Sequence, residues 1–194
     1  DNLKNDVLAH EASLKLAKAN FYKKDFDWTL QQVKVLKQSP SLLIANDAIE
    51  MFLLIQDNSA EDSLRVALQS YATADLKLYQ NKKEEALQLF LAILQKHKGE
   101  SIEEGTLFKV GKIYEEKGDF NKTLMYYQNI LDNHKDGIYK DEALYFSAEI
   151  YRKHLLDNEK AKALYEKVVL EHPDSLYYTE SRKQYRTLRG DTTI

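Results

Sequence analysis

Three histidines recur at a nearly constant interval. His97, His134 and His172 are evenly spaced along the chain, each closing an apolar-periodic segment. Imidazole is the commonest metal ligand, so a shared ion is the first chemistry to consider. Equivalent side chains of stacked helical units lie about 10 Å apart. A metal bonds a histidine nitrogen at about 2 Å. Three residues so spaced cannot meet on one ion. Their shared place is the last turn of a helix. There an imidazole bonds an unpaired carbonyl, and an imidazolium is favoured by the helix dipole. His10 and His154 have no companion at a useful spacing.

The paired carboxylates are Glu84-Glu85, Glu103-Glu104 and Glu115-Glu116. Acid–base catalysis needs a carboxyl whose pKa is raised, normally inside a pocket. These pairs fall near helix ends beside lysines, as solvated faces do. The chain has no cysteine. That excludes a disulfide framework, a thiolate nucleophile and a thiolate zinc site, and it suits an oxidising compartment. Phosphate loop, nucleophile elbow, dinucleotide fingerprint and zinc-protease helix do not occur. The expectation is therefore a chain that is not an enzyme, with no catalytic residue, cofactor or metal. Arg189-Gly190-Asp191 spells a cell-adhesion tripeptide, but at a helix end Gly190 reads as a C-cap.

The elements that position these residues follow from composition. The 194 residues hold only six glycines and two prolines, with 43% hydrophobic and 30% charged residues. A sandwich or barrel needs a turn every 8–12 residues, usually built with Gly, Pro or Asn. Long helices joined by short turns fit better. A net charge of −3 and a pI near 6.0 give no footprint for nucleic acid. No apolar run approaches the roughly 18 residues of a membrane span. The chain starts at Asp1, which reads as a mature chain or a piece of a longer protein.

An internal repeat organises the helices. The segments from Asn81, Gly118 and Asp157 align, so that Ala86, Thr123 and Ala161 correspond, as do Phe90, Tyr127 and Tyr165, and Ile93, Ile130 and Val168. A small residue, an aromatic four later and an aliphatic three after that share one helix face. The small residue admits a partner helix, and Leu107, Val110, Gly111 and Tyr114 form the matching stripe just before it. Gly118 reads as a left-handed cap, Asp119 as the next N-cap, and Ser101 with Glu104 as a capping box.

In order and spacing, Leu107, Val110, Gly111, Tyr114, Gly118, Phe120, Thr123, Tyr127 and Ile130 resemble the tetratricopeptide repeat. So do Leu144, Ala148, Tyr151, Ala161, Tyr165, Val168 and Pro173, with one residue inserted. A repeat with Ala74, Ala86, Phe90 and Ile93 fits less closely. A weaker copy opens the chain with Leu16-Ala17, Phe21, Thr29, Val33 and Pro40. The resemblance implies an all-α, right-handed superhelical solenoid of antiparallel helix hairpins with about ten helices. Residues 1–194 would form one array. Its parts are a degenerate hairpin at 1–40, an extra helix at 41–57, three hairpins at 60–174 and a capping helix at 175–190.

The extra helix follows from the interval between Thr29 and Ala86, which spans about one and a half repeats. Asn58-Ser59 is expected to break it, and Ser59 with Asp62 to cap the long helix of 60–79. A kink is expected nearby. Whether the extra helix packs inside the array or meets another chain is open at this level. The first helix is expected over 3–23, and residues 191–194 as a frayed tail. Arg182, Lys183, Arg186 and Arg189 give the last helix the polar outer face that a solenoid cap needs.

The resemblance also implies a protein-binding groove lined by the first helix of each hairpin. Carrying the register across places Tyr71, Phe108 and Tyr145 at one groove position. Asp75, Lys112 and Glu149 follow one turn on, then Tyr79, Glu115 and Arg152. Such aromatics can anchor a peptide or partner helix. They can equally shield the next hairpin, and Tyr71 also lies on a core-like stripe with Leu64, Ala67, Leu68, Ala74 and Leu78. Family members that grip a C-terminal carboxylate use Lys and Asn at these places, so that mode is disfavoured. The implied function is a non-catalytic interaction scaffold with a protein or peptide partner and no nucleic acid. The alternatives are a self-assembling module or a non-catalytic region of a larger enzyme or regulator. The oligomeric state stays open. The junctions HKDGIYKDEALYF and HPDSLYYTESRKQY resemble those of bacterial envelope tetratricopeptide proteins, including Bacteroidetes ones. That implies a periplasmic or outer-membrane-associated location, with the cytoplasm as the alternative.

Overall fold

A computed structural model describes residues 7–60, 64–134 and 136–191. Among them are ten α-helices and no strand. The helices are α1 (Val7–Tyr22), α2 (Phe26–Leu36), α3 (Leu42–Ala60), α4 (Val66–Tyr79) and α5 (Lys83–Lys96), followed by α6 (Ile102–Glu116), α7 (Phe120–Asn133), α8 (Lys140–Lys153), α9 (Asn158–Glu171) and α10 (Tyr178–Arg189). The chain divides into two compact units, Asp1–Thr106 and Leu107–Ile194, with the division inside α6 rather than at the extra helix.

In the first unit α1 and α2 form a tight hairpin. Lys24 turns the chain with a φ of 66°, and the Asp25 carboxylate accepts from the Trp28 N–H at 3.3 Å, capping α2. Leu14, Ala17, Val33 and Leu36 bury against Ile44 and Ala48 of α3. Ile55, further along α3, is fully buried. The extra helix thus packs inside the unit, although Leu42 and Leu43 at its start remain exposed.

Its end differs from the expectation. Asn58 and Ser59 stay helical, because their side chains donate to the Leu54 and Ile55 carbonyls of the preceding turn at 2.8 and 2.5 Å. Short polar residues can bond back along a helix as well as cap one. α3 accordingly runs to Ala60, and α4 begins at Val66, not at 60. Asp62 lies outside the described residues, as do residues 3–6 of the predicted first helix. Arg65 precedes α4 in the left-handed region, at φ 52°, and its guanidinium pairs with Asp27 at 2.8 Å.

The second unit repeats one local design. Asp119 accepts from the Lys122 N–H at 3.2 Å and Asp157 from the Lys160 N–H at 3.0 Å, capping α7 and α9. Each lysine folds its ammonium back onto its cap aspartate and over a tyrosine of the preceding helix. Lys122 lies 4.8 Å from the Tyr114 ring and Lys160 5.1 Å from Tyr151. The cap bonds and the cation hold both carboxyls below the usual range. Gly118 adopts φ 74°, as its cap role requires. At the opening of α6, by contrast, the Glu103 carboxylate accepts from the Gly99 N–H at 2.7 Å.

α10 closes the unit. Tyr185 and Leu188 pack on Ala148, Ala161 and Tyr165, while Arg182, Lys183, Arg186 and Arg189 face outward. Gly190 is left-handed, its N–H returning to Arg186 and Thr187. Asp191 is not frayed. Its N–H bonds the Arg186 carbonyl at 3.0 Å and its carboxylate pairs with Arg186 and Arg189. Residues 192–194 lie outside the described residues. The adhesion tripeptide is thereby paired within itself.

Candidate protein-binding face

The predicted groove residues divide between the units. In the first, Tyr71 is 1% exposed and sits edge-on to Phe90 at 5.3 Å and to Phe21 at 6.5 Å. It belongs to the core and presents no surface to a partner. Asp75 accepts from the Tyr22 hydroxyl at 3.1 Å, and Tyr79 is exposed with its ring 5.7 Å from that of Tyr22.

The second unit gathers the other six on α6 and α8. Phe108 stacks on Tyr139 at 4.7 Å and Tyr145 on Tyr177 at 4.4 Å, both at an interplanar angle of 20°. The matching geometry reflects the repeat. Tyr139 and Tyr177 are equivalent positions of successive repeats. Each stands just before the next first helix and covers one side of the aromatic in the hairpin before it. Phe146 joins the rows, 6.3 Å from Phe108 and 5.4 Å from Tyr177. Phe108, Tyr145, Phe146 and Tyr177 all keep partial exposure. Part of this aromatic surface shields the hairpins, and part faces outward.

The charged residues of the face are satisfied within it. Lys112 pairs with Glu115 at 2.8 Å and places its ammonium 3.7 Å from the Phe146 ring. Glu115 also accepts from the Tyr127 hydroxyl at 2.9 Å. One repeat on, Glu149 is buried and bonded by Arg152, Lys153 and the Tyr165 hydroxyl, while Arg152 Nε donates to that hydroxyl at 3.1 Å. Burial pushes the Glu149 carboxyl upward, but the bonds from Lys153, Tyr165 and Arg152 outweigh it and hold the group below the usual carboxylate range. Burial and the adjacent carboxylates raise both phenols, Tyr127 through Glu115 and Tyr165 through Glu149.

Tyr139, Phe146 and Tyr177 escaped the sequence reading. The recurring Ile-Tyr and Leu-Tyr of the junctions is the signal that points to two of them.

The histidines occupy the residue after each second helix. His97, His134 and His172 return their backbone N–H to Ile93, Ile130 and Val168. His97 also bonds Glu100 through Nδ1 at 2.9 Å. No group of three or more His, Asp or Glu side chains among the described residues is placed to hold a metal. No described helix is long and apolar enough to cross a membrane.

Residues 106–137 and 142–175 match the family model of the tetratricopeptide repeat. These are the α6–α7 and α8–α9 hairpins, about a third of the chain. Repeats of this kind generally mediate protein–protein interaction and are typically non-catalytic modules. No curated protein matches the chain.

Proposed function

We propose that the two tetratricopeptide repeats of the second unit form a protein-interaction scaffold. The α6–α8 face takes an extended peptide or a partner helix. The supporting observation is the row of stacked, partly exposed aromatics flanked by charges already paired with one another. Such a face recognises apolar and aromatic side chains rather than formal charge. Lys112 and Arg152 already hold the half-buried Glu115 and the buried Glu149, which disfavours capture of a terminal carboxylate by these two cations.

Partner recovery by crosslinking tests the reading. Ala at Phe108 and Tyr145 weakens recovery if the face binds. Unchanged recovery from a folded double variant rejects it.

We also propose, on the resemblance of its hairpin junctions alone, a location in a bacterial envelope, in the periplasm or at the outer membrane. Fractionation of tagged cells tests this, and a wholly cytoplasmic signal contradicts it. Self-assembly is the second reading, favoured by exposed Leu42 and Leu43 on α3. Light scattering over a concentration series separates the two, because a strict monomer removes the second.

A further inference from the structure

The second unit has another recess, away from the α6–α8 aromatic row. Its walls are the second helices of the two hairpins, α7 and α9, and its floor is Ser147 and Tyr151 of α8. The volume is about 460 Å³. Leu124, Met125, Leu131 and Leu164 supply most of the apolar lining. Met125 is 56% exposed. The repeat explains the depth. Met125 and Ala163 each stand two positions after the small packing residue, Thr123 or Ala161, so a long side chain on α7 is matched by a methyl on α9.

The charge of the recess is one-sided. Among the described residues no carboxylate lines it, and the charged lining residues are Lys160 and Lys167, both exposed on α9. Lys160 also pairs with Asp157 at 3.1 Å, but its side chain is 62% exposed, unlike the more buried pairs of the aromatic face, so this weak contact leaves the ammonium open to a second carboxylate. The α7 wall is neutral, with Asn121 and Gln128, the latter donating to Asp132 at 2.7 Å. The lysines stand two helical turns apart, about 10 Å along the axis. From Asn121 to Leu131 the wall runs about 15 Å, roughly three helical turns.

We propose that this recess seats an amphipathic helix of a protein partner. The apolar stripe of that helix lies against Met125, Leu131 and Leu164, and two carboxylates two turns apart reach Lys160 and Lys167. Groove length, spacing of the lysines and absence of lining carboxylates all define the same occupant. A flexible thioether on the rim adapts to the packed side chains, and the lysines set partner choice and register. This surface is separate from the aromatic face, and either can bind without the other.

A displayed library of helical peptides tests the proposal. Each member carries a fixed leucine stripe, with free choice among Glu, Lys, Ser and Ala at the flanking positions. Selection on the whole chain enriches Glu at positions i and i+7. Lys167→Glu turns the preference toward Lys, and enriched peptides lose about tenfold or more in affinity for that variant. Met125→Asp, at an exposed site that leaves the thermal midpoint unchanged, weakens them comparably, while Tyr145→Ala leaves them unaffected. No enrichment, a bias toward Lys, or binders indifferent to Met125→Asp overturn the proposal. Binders sensitive to Tyr145→Ala also overturn it, since they belong to the aromatic face. Self-association abolished by Met125→Asp assigns the recess to a second copy and overturns it too.

Discussion

Gly111 and the ring of Tyr127 are in direct contact: a Cβ on Gly111 would lie 2.5 Å from the Tyr127 Cε1. Tyr127 is fully buried, stacked on Phe108 at 5.8 Å and tied to Glu115 by its hydroxyl. The ring therefore has little room to yield. In the next hairpin the same position is Ala148, and the phenol of Tyr165 is held by Glu149 and Arg152 instead.

Gly111→Ala removes the helical disadvantage of glycine, about 1 kcal/mol, but forces the overpacking of a filled core, about 1–3 kcal/mol. The expected net effect is a loss of up to about 2 kcal/mol in denaturant unfolding. A smaller residue at position 127 should lessen the penalty of the alanine, and a double-mutant cycle reads that coupling.

The Glu149 cluster makes stability depend on pH. Its carboxyl is lower in the folded state than unfolded, so between the two values the unfolded chain binds more protons. Its contribution is fully present above the unfolded value, about 4.3, and is lost as pH falls through the folded one. Glu149→Gln should lower stability at neutral pH and flatten the decline below about pH 4.5. Thermal midpoints across pH 3 to 7, on the order of one unit apart, check both effects.

α3 should behave as a core element at one end and a surface element at the other. Ile55 is fully buried, so Ile55→Ala is expected to cost about 2–5 kcal/mol. Leu42 and Leu43 are 73% and 72% exposed, so alanine there should change stability by less than about 0.5 kcal/mol. Urea midpoints of the three variants decide it.

Binding at the aromatic face should depend weakly on salt. Lys112, Glu115, Glu149 and Arg152 are paired within the protein, so few partner charges are left to screen. Affinity is expected to change by less than about threefold between roughly 0.05 M and 0.5 M salt. A steep loss would assign recognition to charge.

Much of the second unit was legible because its determinants are local. Asp119, Gly118 and Gly190 act within a turn of their own positions, and the small–aromatic–aliphatic stripe repeats in sequence. The end of α3 was not legible, because Asn58 and Ser59 carry side chains that either cap or bond back. Tyr71 and Phe108 share a repeat position but not a fate. Tyr71 is sealed by Phe21 of α1, far back along the chain, a contact that no periodicity encodes. Likewise the stacking of Tyr139 on Phe108 depends on how one hairpin closes on the next.

The most direct test of the binding face is site-specific photo-crosslinking. A benzophenone side chain replaces Asp141, one turn before Tyr145 on α8, or the exposed Gln31 on α2 as a control. The account predicts a discrete protein adduct from position 141 that is absent from position 31. Tyr145→Ala should abolish it in a chain that stays folded at the assay temperature, although the lost stack on Tyr177 lowers the thermal midpoint. An adduct that forms equally from both positions, or that survives Tyr145→Ala, contradicts the aromatic face as the binding site.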